Sequence, residues 1–129
     1  MGAPIWIEKD ETLIIHDLQL AEHGGREGIR DLRLLESALA RPKNLFAYSA
    51  KTPSLPRLAA AYASGIAANH PFVDGNKRTA LVVALTFLEL NGLEIDASQE
   101  EIYLAFLHLA AGRISEEGLA EWLREHAKS

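Results

Sequence analysis

The sequence predicts an all-α fold, and three observations carry that expectation. Apolar residues recur at helical spacing along most of the chain, and strand-like alternation is weak throughout. The stretch from Thr79 to Leu88, TALVVALTFL, is too apolar for anything but a buried central helix. At 129 residues the chain suits one compact domain, 1–129. A domain of this size buries roughly two-thirds of its unfolded surface without staples.

Ile5-Trp6-Ile7 reads as a short extended lead-in. Asp10 is placed as the N-cap of a first helix through Leu13, Ile14, Asp17 and Leu20, stopped by Gly24-Gly25. A glycine-rich loop, GGREGIR, follows. Asp31 caps a second helix with Leu32, Leu35 and Leu39 at helical spacing, and Pro42 limits it. Residues 42–54, PKNLFAYSAKTPS, break the periodicity and read as a loop or small flap over a site. A third helix, rich in alanine and carrying Gly65, spans about Leu55 to Asn69. The apolar fourth helix starts near Asn76 and ends at Asn91-Gly92. Ser98 and Glu101 form a capping box for a fifth helix through Tyr103, Phe106, Leu107 and Ala110, ended by Gly112. Ser115 opens a last helix with Leu119, Trp122 and Leu123 inward.

Composition narrows the function. Thirteen basic against eighteen acidic residues give a net charge of −5, the opposite of a domain that grips nucleic acid directly. No cysteine is present, so thiol nucleophiles and cysteine metal sites are excluded, and a reducing, cytoplasmic setting is compatible. The opening MGAPIWIEKDE lacks a signal peptide's basic start and apolar core, and Trp6 stands where N-myristoylation needs Ser or Thr. No apolar stretch approaches a membrane span.

The chemistry concentrates in residues 70–78, His70-Pro-Phe-Val-Asp-Gly-Asn-Lys-Arg78. Lys77 and Arg78 fall in the first turn of the fourth helix, where the dipole prefers acids by about 0.3–1 kcal/mol per group. Two cations belong there if an anion sits among them, held by the free N–H groups of that turn, and phosphate is the natural candidate. His70 and Asp74 lie on the loop beside it, placed for a base and a metal-holding carboxylate. Asp74 has a second reading, as N-cap of the fourth helix. Lys77 and Arg78 also have a plainer one, as solvated charges at a helix end. Gly75 permits a left-handed turn or close approach to a ligand, and Phe72 points into the core. The pair His16-Asp17, within an apolar helix, buttresses the site or serves a structural hydrogen bond. Position 70 is His where a Walker loop needs glycine, and neither a zinc ligand pair nor a GxSxG elbow occurs.

The segment HPFVDGNKR resembles the central motif of the Fic/Doc superfamily, whose Fic branch reads HPFx[D/E]GNGRxxR. Asn76-Lys77-Arg78-Thr79-Ala80 follows the Doc (death-on-curing) form. His16-Asp17, Gly24-Gly25, Leu34-Leu35-Glu36-Ser37-Ala38-Leu39 and Phe87-Leu88 through Asn91-Gly92 fall in Doc-like order, so the resemblance covers nearly the whole chain. It implies a compact helical fold and transfer of part of a nucleoside triphosphate to a protein hydroxyl, with ATP and Mg²⁺ as cofactors. By position, His70 would be the general base and Asp74 would hold Mg²⁺. Gly75 and Asn76 would supply the anion-binding turn, Lys77 and Arg78 would neutralise phosphate charge, and the flap at 42–54 would register the target segment.

Two departures from the Fic branch are informative. Lys77 replaces a glycine that leaves room for the α- and β-phosphates, and Leu81 stands at the second motif arginine. In the Doc branch the implied outcome is γ-phosphoryl transfer by an atypical serine/threonine kinase, with a threonine of elongation factor Tu as target and translation arrest as result. The inhibitory [S/T]xxxE[G/N] helix of many Fic proteins has no match, since Ser115-Glu-Glu-Gly118 has the wrong spacing. The resemblance therefore implies a toxin held by a separate Phd-like antitoxin whose disordered tail folds onto it. Two alternatives stay open: a Fic-type AMP transferase, and a catalytically silent binding module.

Overall fold

The structure is a computed structural model describing residues 2–129. They form six helices: α1 (Lys9–His23), α2 (Leu32–Tyr48), α3 (Leu55–Asn69), α4 (Asn76–Leu90), α5 (Gln99–Ala110) and α6 (Glu116–His126). Two short strands, β1 (Glu94–Ile95) and β2 (Ala127–Lys128), pair antiparallel, Glu94 opposite Lys128 and Ile95 opposite Ala127. The fold is all-α, as the periodicity predicts.

α4 shares the centre with α3. Buried Val83, Ala84, Phe87 and Leu88 of α4 meet Leu58, Tyr62, Ile66 and the alanines of α3. α2 and α6 cover α3, α1 packs on α4, and α5 packs on both central helices. The α2–α3 crossing is close because Gly65 has no side chain: a Cβ there would stand 3.2 Å from both Cα and Cβ of Ala38. The extended lead-in is tied down by two side chains. Asn91 accepts from the Ile5 N–H at 2.8 Å and donates to the Ile5 carbonyl at 2.9 Å. The Tyr62 hydroxyl likewise accepts from Ile7 N–H and donates to Ile7 O.

Two local expectations are corrected. α1 begins at Lys9, with Glu8 rather than Asp10 as N-cap, and Glu11 reaches back to the Glu8 N–H at 2.9 Å. Glutamate performs there the reciprocal capping usually read from Ser or Thr. α2 does not stop at Pro42 but runs through it to Tyr48, which reduces the proposed 42–54 flap to residues 49–54. An interior proline costs about 3 kcal/mol. The inward face continues across it, however, with Leu35, Ala38, Leu39 and Pro42 buried and Leu45 and Phe46 packed on the core. Trp6 meets Phe46 edge-on at 5.7 Å. Each such side chain is worth about 1.5–3 kcal/mol when fully buried, so together they outweigh the missing hydrogen bond.

The remaining caps follow the sequence. Asp31 accepts from Arg33 and Leu34 N–H, Ser98 and Glu101 form the capping box, and Ser115 accepts from Gly118 N–H. Glu116, the first residue of α6, joins Arg41 of α2 at 2.6 Å and Arg57 of α3. Burial pushes its carboxyl up, but the hydrogen bonds and charge of the two arginines outweigh that and leave it below the usual carboxylate range.

Candidate active site

The loop between α3 and α4 begins with a conformational constraint. Pro71 excludes the right-handed helical region for His70, so α3 ends at Asn69. His70 adopts the left-handed conformation (φ 48°, ψ 57°), alone among the described non-glycine residues. That geometry costs roughly 1–2 kcal/mol in a residue with a Cβ. The glycine-rich loop after α1 compensates. The Arg30 guanidinium donates from Nε to the His70 carbonyl and from Nη2 to the Asn69 carbonyl, each at 2.7 Å. The backbone N–H groups of Arg30 and Asp31 both reach Pro71 O, at 2.7 and 3.0 Å, and Val73 N–H donates to Gly28 O at 3.0 Å. Ile29 and Phe72 thereby form an isolated bridge. Gly28 is needed in this seam: at φ 120° a Cβ would also press on Val73.

Beyond Pro71 the loop is clamped from inside. Buried Asn76 accepts from Phe72 N–H and donates to Phe72 O, both at 3.0 Å, closing the turn. Those two bonds fix the amide's orientation, so its N–H side faces His70 Nδ1 at 3.4 Å. Phe72 is fully buried and stacks on the His16 ring, 3.7 Å between centroids and 7° from parallel. His16 Nε2–H in turn donates to the Asp74 carbonyl at 2.8 Å. The buttress expected of His16 is therefore present, while its neighbour Asp17 is exposed and 4.0 Å from Nδ1.

Asp74 does not cap α4. The N-cap is Gly75, left-handed at φ 81°, and no side chain caps the first turn. The Asp74 carboxylate instead accepts from the Arg26 N–H at 3.1 Å and from the Gly75 N–H at 3.0 Å. These two hydrogen bonds, Arg26 first, hold it below the ordinary aspartate range, so an exposed anion sits at the mouth of the loop. No cluster of three His, Asp or Glu residues suited to a metal exists among the described residues. A lone carboxylate fits Mg²⁺ nonetheless, because that ion is commonly held by one or two carboxylates with substrate phosphates and water. Each Asp74 oxygen accepts a single N–H and keeps a lone pair.

The two cations diverge. Lys77 is exposed and makes no ion pair among the described residues. Arg78 is half-buried, its guanidinium 4.8 Å above the Tyr103 ring of α5 and 3.4 Å from His23 Nε2 of α1. It borders a groove of about 430 Å³ between α1, α4 and α5, lined by Leu81, Val82, Leu85 and Tyr103. The structure thus brings His70, Asp74, Gly75, Asn76 and Lys77 onto one loop and helix start and turns the Arg78 side chain to the flank. Sequence reasoning missed Arg30. Its only signal was a cation in a glycine-rich loop.

Comparison with known proteins identifies relatives of the chain. The profile of the Fic/DOC family matches residues 6–88, which include α1 to α3, the whole motif loop and most of α4. Among curated proteins the chain is similar to the "Protein kinase doc" of Escherichia phage P1, 36% identical over 118 residues, or 92% of each chain. It is also similar to the "Toxin Doc" of Mycolicibacterium smegmatis, 45% identical over 74 residues, or 57% of each chain.

Proposed function

The chain belongs to the Fic/DOC family and is of the Doc type, and from that premise we propose that it is a toxin acting as a protein kinase. It moves the γ-phosphoryl group of ATP onto a serine or threonine hydroxyl of a target protein. The observation that carries this reading is the start of α4, uncapped and with Lys77 exposed in its first turn, on the loop that bears His70 and Asp74. A triphosphate supplies the anion that such a helix start lacks.

The target oxygen forms a bond to the γ-phosphorus as the bond from that phosphorus to the β–γ bridging oxygen breaks, releasing ADP. The hydroxyl proton passes to His70. The ring is exposed, with Nδ1 3.4 Å from Asn76 Nδ2, and the nitrogen left bare in the neutral imidazole is the one that takes the proton. Lys77 and the first-turn N–H groups hold the charge spread over the transferred group. Asp74 would hold Mg²⁺, which when bound would offset phosphate charge. Gly75 supplies the left-handed turn at φ 81° that starts α4, where a Cβ would meet Leu20 and His16.

Phosphoryl rather than AMP transfer is favoured by Lys77, which stands where the Fic-branch motif has glycine. Half-buried Leu81 supports the same reading, since it offers no second phosphate clamp. The name of the relative "Toxin Doc" supports an antitoxin partner, and the motif's resemblance to the Doc branch implies a Phd-like one whose disordered tail folds on binding. A threonine of elongation factor Tu is the proposed target. Incubation with ATP labelled at the α- or the γ-phosphate tests the reaction. The target should retain γ-label only; retention of α-label overturns the kinase reading in favour of AMP transfer, and no label in either case leaves a binding module.

A further inference from the structure

We propose that Arg30 is a positioning residue for His70, fixing the place of the imidazole by holding the backbone on both sides of it. The inference rests on the reading of His70 as the base. Three successive carbonyls surround the imidazole's attachment point, and one residue grips all three. Arg30 Nη2 takes Asn69 O, Nε takes His70 O, and its backbone N–H takes Pro71 O, each at 2.7 Å.

Pro71 closes the right-handed region to His70 and leaves two alternatives, extended or left-handed. The extended form is the ordinary one before proline, whereas the left-handed form seen here sets Nδ1 3.4 Å from Asn76 Nδ2 at the start of α4. Histidine tolerates the left-handed form better than most L residues, but the form remains uncommon even there. The arginine supports it, because in that form the Asn69 and His70 carbonyls both meet one planar fork, each at 2.7 Å. The fork also carries positive charge to the C-terminal end of α3, where the helix dipole is negative. A lysine offers the charge without two donors fixed in a plane. The grip acts on the backbone alone, so the ring stays free to turn while its pivot stays in place.

The test combines turnover with the state of the His70 ring. Turnover is measured for wild type, Arg30→Ala, Arg30→Gln and Arg30→Lys, each with His70 intact and in the His70→Ala background. Arg30→Ala should lower kcat about 10²-fold, the scale of a 1 Å misplacement, with the KM for ATP unchanged. Arg30→Lys should recover part of the loss. In the His70→Ala background, Arg30→Ala should add no further loss. With ¹³C-labelled histidine, the His70 Hε1 signal should be single in wild type, shifted and broadened in Arg30→Ala, and partly restored in Arg30→Lys. Arg30→Gln, which keeps a donor for one carbonyl, carries the measurement if the alanine variant does not fold. An equal loss with and without His70, or an unchanged ring signal in the folded variant, overturns the proposal. The ring signal is read without any transfer assay, so a wild type that moves no phosphate sinks the kinase reading and not this one.

Discussion

α6 and α4 begin in opposite ways. The N-terminus of α6 is answered within the chain: Ser115 caps it, Glu116 and Glu117 meet the dipole, and Arg41 and Arg57 neutralise Glu116. The N-terminus of α4 has a left-handed glycine for a cap, no side-chain acceptor, and two cations in its first turn. One helix start is saturated and the other is left open to solvent and charged with the wrong sign. Polar groups that stabilise the fold at α6 are unspent at α4, which is the condition for binding an anion from outside. Damage to the two starts should therefore separate: function lost at α4, stability lost at the capped ends.

The largest separation is expected at His70. His70→Ala should lower transfer by about 10²–10⁴-fold, the range of a positioned base, and leave the helical circular dichroism and Tm near wild type. Full toxicity from the folded variant in a growth-arrest assay would remove His70 from the chemistry. Lys77→Gly should come next, lowering γ-phosphoryl transfer by about 10²-fold, as for loss of a group that stabilises transition-state charge. Mass spectrometry of the target should then detect some added AMP, and Leu81→Arg in the same chain should raise it. Wild-type phosphorylation from Lys77→Gly would make the lysine an ordinary surface cation.

At the saturated end, Glu116→Gln should cost about 2 kcal/mol, the scale of hydrogen bonds to a charged group, with transfer per folded molecule unchanged. Because the folded carboxyl is held below its unfolded value, this stabilisation is complete above the unfolded pKa and disappears as pH falls through the folded one. The Tm gap between variant and wild type should thus be present at pH 7 and shrink in acid. A gap that widens below pH ~4 would contradict the ion pair. The smallest effect belongs to Asp31→Ala, about 1 kcal/mol from a lost cap, readable in urea denaturation. A loss of transfer larger than the loss of folded protein would show that capping α2 also serves the site.

Features set by neighbours in the sequence were legible there. The caps at Asp31, Ser98 and Ser115 depend on residues two or three positions away, and the run TALVVALTFL announced α4 by itself. Pro42 misled because a proline's local cost is visible in sequence, whereas the packing of Leu45 and Phe46 that offsets it is not. The nine-residue motif marks the candidate site, and His16-Asp17 reads as a buttress or a structural hydrogen bond; the structure gives His16 one hydrogen bond, to the Asp74 carbonyl, and leaves Asp17 exposed. Asp74 was half legible: its exposure followed from the loop, but its engagement with Arg26 and Gly75 instead of the α4 turn depends on a glycine loop far back in the chain. Arg30 was not legible, since its bonds to Asn69 and His70 join positions 39 and 40 apart.

The contact of Gly65 with Ala38 has a bearing on how such a protein diversifies. His70 hangs from one end of α3, and the 49–54 loop enters at the other, roughly 22 Å away at 1.5 Å per residue. Between them α3 is seated on α2 with no slack, because even a methyl group on Gly65 would crowd the Ala38 backbone. A helix that cannot roll or slide does not pass on rearrangements from one end to the other. The entry loop can lengthen, shorten or change its residues while the imidazole stays where it is. Changes in the 49–54 loop are thus free to accumulate without each having to be reconciled with the placement of the His70 imidazole.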